Sequence, residues 1–104
     1  MEKADAAQFV ERLKCYGPEY VTCSGHTFFR LSRKQRELFN CDSIREILFN
    51  NIPVLVGIQH NGCYAAFYKH KNHRFIRIIL DMKADRADVV TCYVIDEKLL
   101  PVIK

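Results

Sequence analysis

The residues best suited to chemistry lie in two basic segments of the 104-residue chain. Residues 30–36 and 69–77 each contain four cations and no acid: Arg30, Arg33, Lys34, Arg36, Lys69, Lys71, Arg74 and Arg77. The net charge is +4, but without these eight cations the remaining 8 basic residues would face 12 acidic ones. Concentrated positive charge on a mildly acidic body is typical of a surface that binds a polyanion. Two solvated surface segments are the alternative.

A second group of residues has the spacing of metal ligands. Cys23-x-x-His26 and His70-x-x-His73 could together form a tetrahedral zinc site, but His70 and His73 bracket a turn, where exposed histidines are common. We therefore expect no metal. A nucleophilic Cys23 or Cys41 beside His26 is another enzymatic interpretation, and it lacks an orienting motif. No glycine-rich phosphate loop occurs, so we expect no cofactor and no nucleotide hydrolysis.

The five cysteines and the chain start bear on the compartment. An odd number of cysteines, no Cys-x-x-Cys pair and a polar start without a signal sequence argue against a secreted disulfide framework. Cys63 and Cys92 are predicted to face the core, and disulfide formation is left open. No apolar run is long enough to span a membrane. We expect a cytoplasmic protein.

Helical periodicity in the first half of the chain predicts three helices. The first covers Ala4–Cys15 and ends at Gly17-Pro18. The second covers Thr27–Phe39, with His26 and the cations on one side and four apolar residues facing the core: Phe28, Leu31, Leu38 and Phe39. A capping box at Ser43-x-x-Glu46 opens the third helix, which runs to about Asn50. Tyr20–Cys23 is predicted as an extended link or short strand.

Beyond Pro53 the period changes to two residues, which predicts strands. They cover Val54–His60, Cys63–Lys69, Arg74–Met82 and Asp88–Asp96. The predicted fold is therefore a single α+β domain over residues 1–104, with three N-terminal helices on one face of a four-stranded antiparallel meander.

Turn chemistry predicts the strand register. Asn61-Gly62 favours a two-residue hairpin turn, and a second turn is centred on Asn72-His73. Val56 would then face Phe67, Ile58 would face Ala65, Phe67 would pair with Ile78 and Ala65 with Leu80. The helix-covered face would hold these six residues and Ile76, Val90, Cys92 and Val94. The open face would hold Tyr64, Tyr68, Phe75, Arg77, Thr91 and Tyr93.

Tyr68 would lie directly opposite Arg77 on that open face. Aromatic rings beside an arginine suit stacked bases and a clamped phosphate. Ordinary cross-strand packing on a half-exposed sheet is the alternative.

Two short motifs carry a family resemblance. Ser24-Gly25-His26-Thr27-Phe28-Phe29-Arg30 and the terminal strand Val89–Tyr93 resemble RelE/BrnT-like toxin-type small proteins. The similarity is to an uncharacterised branch with a His-Ala-x-x-Arg helix and a Val-Val-Thr-x-Tyr strand, and it covers about residues 22–96. Thr27 replaces the family's alanine, Lys34 its second arginine and Cys92 an apolar residue. Arg36–Cys41 is longer than usual, and the first helix is an addition.

The resemblance implies a RelE-like fold and a toxin-like RNA-binding module. In that family, RNA is cleaved without metal by the ribose 2′-OH, so the chain would be an mRNA endoribonuclease or a descendant that keeps only the RNA-binding surface. The implied catalytic residues are His26 as base or acid, Arg30 and Arg77 on the phosphate, and Tyr93, with Tyr93 or Tyr68 stacking on a base. The implied RNA-binding residues are Arg33, Lys34, Tyr68, Lys69, Lys71 and Arg74.

The expected partners follow from the two functions considered. RNA or ribosome-bound mRNA would be the substrate, and Arg30, Lys34 and Arg77 are expected on one positive surface. The alternative is a non-catalytic protein-interaction domain that binds an acidic or antitoxin-like partner, with the apolar tail Leu99–Ile103 as an anchor. A homodimer is left open, and no membrane partner is expected.

Overall fold

The computed structural model describes residues 1–24, 26–29 and 31–101, with Leu38 described by its backbone alone. This description does not include four residues that the sequence analysis used, Gly25, Arg30, Val102 and Ile103. The Leu38 side chain also lies outside it. The described helices are α1 (Ala6–Lys14), α2 (Arg33–Leu38) and α3 (Cys41–Asn50). The described strands are β1 (Glu2–Lys3), β2 (Val21–Cys23), β3 (Leu55–Ile58), β4 (Tyr64–Lys69), β5 (Arg74–Met82) and β6 (Ala87–Asp96).

These strands form one mixed sheet in the order β1-β3-β4-β5-β6-β2. Only the β2–β6 pair among them is parallel. The α+β class is as predicted, but the four-stranded antiparallel meander is wrong. Both edges of the meander would expose unpaired backbone groups. In the structure β1 pairs with β3 at one edge and β2 pairs with β6 at the other. These two strands have two and three residues, too few to show an alternating pattern.

The helices differ from prediction at their starts. The predicted second helix is wrong over its first half, where residues 26–29 form a turn and Ser32 caps a helix of only six residues. The capping box predicted at Ser43-x-x-Glu46 is also wrong. Asn40 caps α3 by accepting from the Ser43 amide, and the hydroxyl of Ser43, the third helical residue, accepts from the Asn40 backbone amide. Both amide and hydroxyl oxygens can accept from a helix N-terminus, so the earlier cap starts the helix three residues sooner.

The predicted register of β4 is wrong by one residue on both sides. At the first hairpin, Gln59 pairs with Cys63 around a three-residue loop, and Gly62 adopts φ +87°. A three-residue loop with a left-handed third residue is the next favoured hairpin after the two-residue turn. At the second hairpin, Asn72 and His73 have φ 57° and 58°, but His70 rather than Lys71 pairs with Arg74.

Because side chains alternate, this slip moves β4 to the other face. Val56 pairs with Ala66, and Phe67 rather than Tyr68 lies opposite Arg77. Tyr64 and Tyr68 therefore pack under the helices, whereas Ala65 and Phe67 lie on the open face. The prediction that Tyr68 stacks on RNA from the open face is wrong.

A β-bulge in β6 changes the direction of one further side chain, that of Val90. Ile79 pairs with Thr91 and Leu80 pairs with Val89, so Val90 is the extra residue. Val90 was predicted to face the helices, but it is 46% exposed, and Val89 takes the buried position.

Both faces of the sheet are packed. The helix-side core joins Phe9 and Leu13 of α1 and Ile44 and Leu48 of α3 to the inner residues of the sheet. The open face holds a smaller cluster, in which Phe67 is fully buried and the C-terminal Leu100 is a partly buried neighbour. The predicted inward direction of Cys92 is correct, and Cys63 is buried in the open-face cluster.

A disulfide joins Cys23 of β2 to Cys41, the first residue of α3, with 5.9 Å between the Cα atoms. It encloses the segment that contains His26 and α2. No helix in the described part of the chain has the length and apolarity needed to cross a bilayer.

Candidate functional site

Arg77 occupies the centre of the open face. Its guanidinium carbon lies 5.5 Å from the ring centroids of Phe67 and of Tyr93, its neighbours across the two adjacent strands. Nη1 donates a hydrogen bond to the Tyr93 hydroxyl. Nε is buried and has no hydrogen-bond partner among the described residues. A buried donor that lacks an acceptor is rare in native structures and indicates an absent partner.

Beside this guanidinium lies a cavity of about 330 Å³, the Arg77 cavity. Its other walls come from the first hairpin, from β5 and from β6: Gln59, Asn61, Ile79, Val90, Thr91 and Tyr93. Amide and hydroxyl groups can donate hydrogen bonds, and arginine keeps its charge at any ordinary pH. The chemistry of this cavity therefore suits an anion with several oxygen acceptors.

Thr27 fixes the segment that carries His26. Its hydroxyl is buried, donates to the Val89 carbonyl at 2.8 Å and accepts from the Ser24 amide at 2.9 Å. The Thr27 carbonyl in turn accepts from the Cys92 amide at 3.1 Å. The bonds to Val89 and Cys92 attach the turn to β6 on both sides of the bulge, and the Ser24 bond closes the turn, so the backbone beside His26 is held against the strand.

His26 is exposed at a second cavity of about 380 Å³, the His26 cavity, which also contains Ser24, Asp81 and Asp88. Val90 lines both this cavity and the Arg77 cavity. The structure thus brings three of the predicted catalytic residues, His26, Arg77 and Tyr93, to two adjoining cavities. The fourth, Arg30, lies outside the described residues.

Asp88 is a charged residue of the His26 cavity and has three side-chain hydrogen-bond partners. Hydrogen bonds from Lys83 (2.8 Å) and Thr22, and a further bond from Arg86 (2.9 Å), hold the pKa of this carboxyl down at about 2. Asp88 is therefore ionised and already partnered by two cations. Its role in the cavity is to anchor β2 and the β5–β6 loop, not to act as an acid or base.

The predicted RNA-binding cations are divided between different places. Arg33 and Lys34 are exposed on α2, whose flanking residues Leu31 and Phe39 pack in the helix-side core. Arg77 projects from the opposite face, so the structure does not bring Lys34 and Arg77 together. The sequence predicted one surface with Arg30, Lys34 and Arg77. Arg30 lies outside the described residues, and Lys34 and Arg77 do not form such a surface.

The turn between β4 and β5 carries the other predicted cations. Lys69 and Lys71 are exposed. Arg74 forms an ion pair with Asp96 at 3.6 Å, and Glu97 lies 3.7 Å from His73. The end of β6 thus brings two carboxylates to a segment that has none in sequence. The pKa of His70 is lowered by burial and by Lys71 and Arg74, which favours its neutral form.

Several residues of the site are not apparent from the sequence. Phe67 was assigned to the helix-covered face, Val90 becomes a shared wall through the bulge, and Gln59 and Asn61 enter through the longer hairpin loop. Arg36, counted among the free cations, donates to the carbonyls of Phe28 and Phe29 at 3.1 and 3.3 Å. The Asn61-Gly62 turn signal was the one sequence feature that located the hairpin.

The alternative chemistries of the sequence find less support. Cys23 and Cys41 are bonded to each other, so neither is available as a thiol nucleophile or zinc ligand. Within the described ranges, no group of three or more histidine, cysteine or acidic residues is placed to hold a metal ion.

Comparisons with protein-family models, with curated proteins and with solved structures found no match to this chain. The resemblance to RelE/BrnT-like proteins therefore stays a prediction.

Proposed function

We propose that this protein binds single-stranded RNA on the open face of its sheet, with one backbone phosphate held in the Arg77 cavity. The observation that carries the proposal is the buried Nε–H of Arg77, which has no partner among the described residues and lies in a guanidinium that borders a cavity. Nε and Nη2 on one edge of a guanidinium match two oxygens of a phosphate. Phe67 and Tyr93 hold the group in one orientation before the ligand arrives.

The surroundings favour a nucleic acid over a small anion. The Arg77 cavity and the His26 cavity share Val90 as a lining residue, so a ligand longer than one phosphate group that passes over Val90 could contact both. Lys69 and Lys71 add exposed positive charge at the β4–β5 turn. Single-stranded RNA combines such backbone contacts with hydrogen bonds to exposed bases, for which Gln59, Asn61 and Thr91 are available.

His26 makes the same site a candidate for metal-independent RNA cleavage. An imidazole accepts a proton near neutral pH. In the proposed reaction His26 takes the proton of a ribose 2′-OH, and the 2′-oxygen attacks the adjacent phosphorus. The bond to the 5′-oxygen breaks, and that oxygen takes a proton from solvent. The products are a 2′,3′-cyclic phosphate and a 5′-hydroxyl. Arg77 stabilises the charge on the phosphate oxygens during the attack.

RNA binding is tested by the fluorescence anisotropy of a labelled, unstructured RNA at low salt. Arg77→Lys keeps the charge but loses Nε and the planar fork, and we expect affinity to fall by about tenfold or more. Arg12→Lys is the matched control, because Arg12 lies 5.6 Å from the Tyr64 ring centroid and donates to the Tyr64 hydroxyl at 3.1 Å on the helix side of the sheet. An equal loss in both variants, or no RNA binding by the wild type, would contradict the proposal.

Cleavage is tested separately, with mRNA in the presence and absence of ribosomes and with EDTA throughout. We expect the wild type to yield 2′,3′-cyclic phosphate ends and His26→Gln to lose cleavage while it keeps RNA affinity. Cleavage that is unchanged in His26→Gln would remove the catalytic part of the proposal. RNA binding without cleavage by the wild type would leave a binding module.

A non-catalytic protein-interaction domain is the second candidate. The observation that favours it is Phe29, which is 76% exposed although its backbone is fixed by bonds from Arg36. An aromatic side chain held in solvent beside the cations of α2 would suit an acidic partner with an apolar anchor, such as an antitoxin-like protein. Retained partner binding in Arg77→Lys with loss in Phe29→Ser would favour this candidate.

A further inference from the structure

The helix side of the sheet contains a further cavity, which shares Lys69 with the proposed RNA-binding surface. It has a volume of about 330 Å³ and lies between the end of α3, the loop that follows it, and strands β4 and β5. Its walls are Ile47, Asn51, Ile52, Val54, Tyr68, Lys69 and Ile76. Ile52 and Val54 are 75% and 44% exposed, so two apolar side chains remain in solvent at this cavity.

Tyr68 lines this cavity of mixed polar and apolar residues, and its hydroxyl is a buried polar atom. Its side chain is 2% exposed, and its hydroxyl has no hydrogen-bond partner in the described part of the chain. Burial raises the pKa of this hydroxyl, which therefore stays protonated and able to donate. A buried hydroxyl without a partner destabilises the folded protein. A phenylalanine would fill the same space without that cost.

The other polar groups of the cavity do not satisfy this hydroxyl. The Asn51 side-chain amide donates to the Ile47 carbonyl at 3.2 Å, and Lys69 is exposed. The O–H donor of Tyr68 would be satisfied by an acceptor on a ligand that enters the cavity.

We infer that this cavity, the Tyr68 cavity, binds a small neutral molecule with an aromatic or branched apolar body and one carbonyl oxygen, which accepts the hydrogen bond of Tyr68. The volume is at the lower end of the range for ligand sites, and a dry cavity of about 150 Å³ already holds benzene. One substituted ring therefore fits. A neutral ligand is favoured because the carbonyls at the end of α3 carry partial negative charge, which opposes an anion.

The test uses two probes that differ only in the acceptor, acetophenone and ethylbenzene. Binding is followed by the amide chemical shifts of Ile47, Asn51, Tyr68 and Ile76 in ¹⁵N-labelled protein. We expect wild-type protein to bind acetophenone about tenfold more tightly than ethylbenzene. Tyr68→Phe should bind both probes alike. Tyr64→Phe is the control, because Tyr64 lies on the same strand, outside the cavity, and it should keep the full preference.

A second variant guards against loss of folding in Tyr68→Phe. Val54→Trp changes a half-exposed residue of the cavity wall, and we expect it to block both probes. Three results would overturn the inference: no saturable shift at these residues, equal binding of the two probes by the wild type, or a preference that persists in Tyr68→Phe. Tighter binding of benzoate than of acetophenone, lost in Lys69→Gln, would overturn the neutral class of ligand. Failure of this test would leave the RNA proposal unaffected, because the two cavities lie on opposite faces.

Discussion

At the scale of single residues, the arginines show how local geometry decides what a charge can do. Arg45 donates from Nε and Nη2 to the Val21 carbonyl at 3.1 and 2.9 Å and so joins α3 to β2. Arg36 holds the turn before α2, and Arg74 pairs with Asp96. Each is charged, but its donors are directed at the protein. Arg77 differs because one buried donor points at no acceptor in the described chain. A count of cations therefore overestimates the surface available to a polyanion.

Thr27→Val should destabilise the protein and displace His26. The substitution keeps the volume of this buried residue but leaves the Val89 carbonyl and the Ser24 amide without their partner. We expect the free energy of unfolding to fall by about 1–3 kcal/mol, measured by urea denaturation. Thr27→Ser keeps the hydroxyl and should lose less. Equal losses in the two variants would indicate that packing, not the hydroxyl, holds the turn.

Asp88→Asn should remove an acid-sensitive part of the stability. The Asp88 pKa of about 2 lies below the ordinary value of 3.8, so its contribution is complete above about pH 4 and is lost as the pH falls towards 2. The variant should be less stable near neutral pH by roughly 1–2 kcal/mol. The difference from wild type should shrink between pH 4 and pH 2, as measured by thermal unfolding across that range. A difference that stays constant with pH would contradict this role.

At the scale of elements, strand positions were more predictable than strand register. The strand Arg74–Met82 and the Asn72-His73 turn lie where the pattern placed them. The sequence analysis nevertheless placed Tyr68 on the wrong face. Alternation divides the side chains of a strand into two sets, one on each face, but it does not say which set faces the helices. That choice depends on one residue in each hairpin loop. Asn61-Gly62 is compatible with both a two-residue and a three-residue loop, and long-range packing decides between them.

Removal of the Cys23–Cys41 disulfide should loosen the segment between β2 and α3. The bond joins residues 18 apart in sequence, and a loop of about this length corresponds to roughly 3 kcal/mol of stabilisation through the unfolded chain. We expect a large fall in the melting temperature on addition of dithiothreitol and in the double variant Cys23→Ala/Cys41→Ala. Cys15→Ala, which changes an exposed free thiol, is the control. Unchanged melting under reduction, or alkylation of all five cysteines without reductant, would contradict this prediction.

At the scale of the whole molecule, the candidate site depends on contacts that no local pattern contains. The pairing of β2 with β6, the bulge at Val90 and the Thr27 bonds together bring His26 to a cavity that shares Val90 with the Arg77 cavity. The bulge lies within one hairpin, but the β2–β6 pairing and the Thr27–Val89 bond join residues more than 60 apart in sequence. Residue types suggested His26, Arg77 and Tyr93 as a group, but only the assembled sheet shows that Lys34 is on another face and that Tyr68 is buried.

The separation of the cations leads to a prediction about the salt dependence of RNA binding. If RNA contacts only the open face and the β4–β5 turn, two or three phosphates are neutralised, by Arg77, Lys69 and Lys71. The slope of log K against log salt should then be about −1.4 to −2, since each contact on a single strand contributes about −0.7. Lys71→Gln should flatten the slope by about 0.7, whereas Arg33→Gln and Lys34→Gln on α2 should leave it unchanged.

Tyr93→Phe should weaken binding at every salt concentration without changing the slope, because a hydroxyl releases no counterions. Anisotropy titrations over a series of salt concentrations measure all of these effects. A slope steeper than about −3 that flattens in Lys34→Gln would mean that RNA also contacts α2 and crosses the sheet edge, and the single-face arrangement would then be wrong.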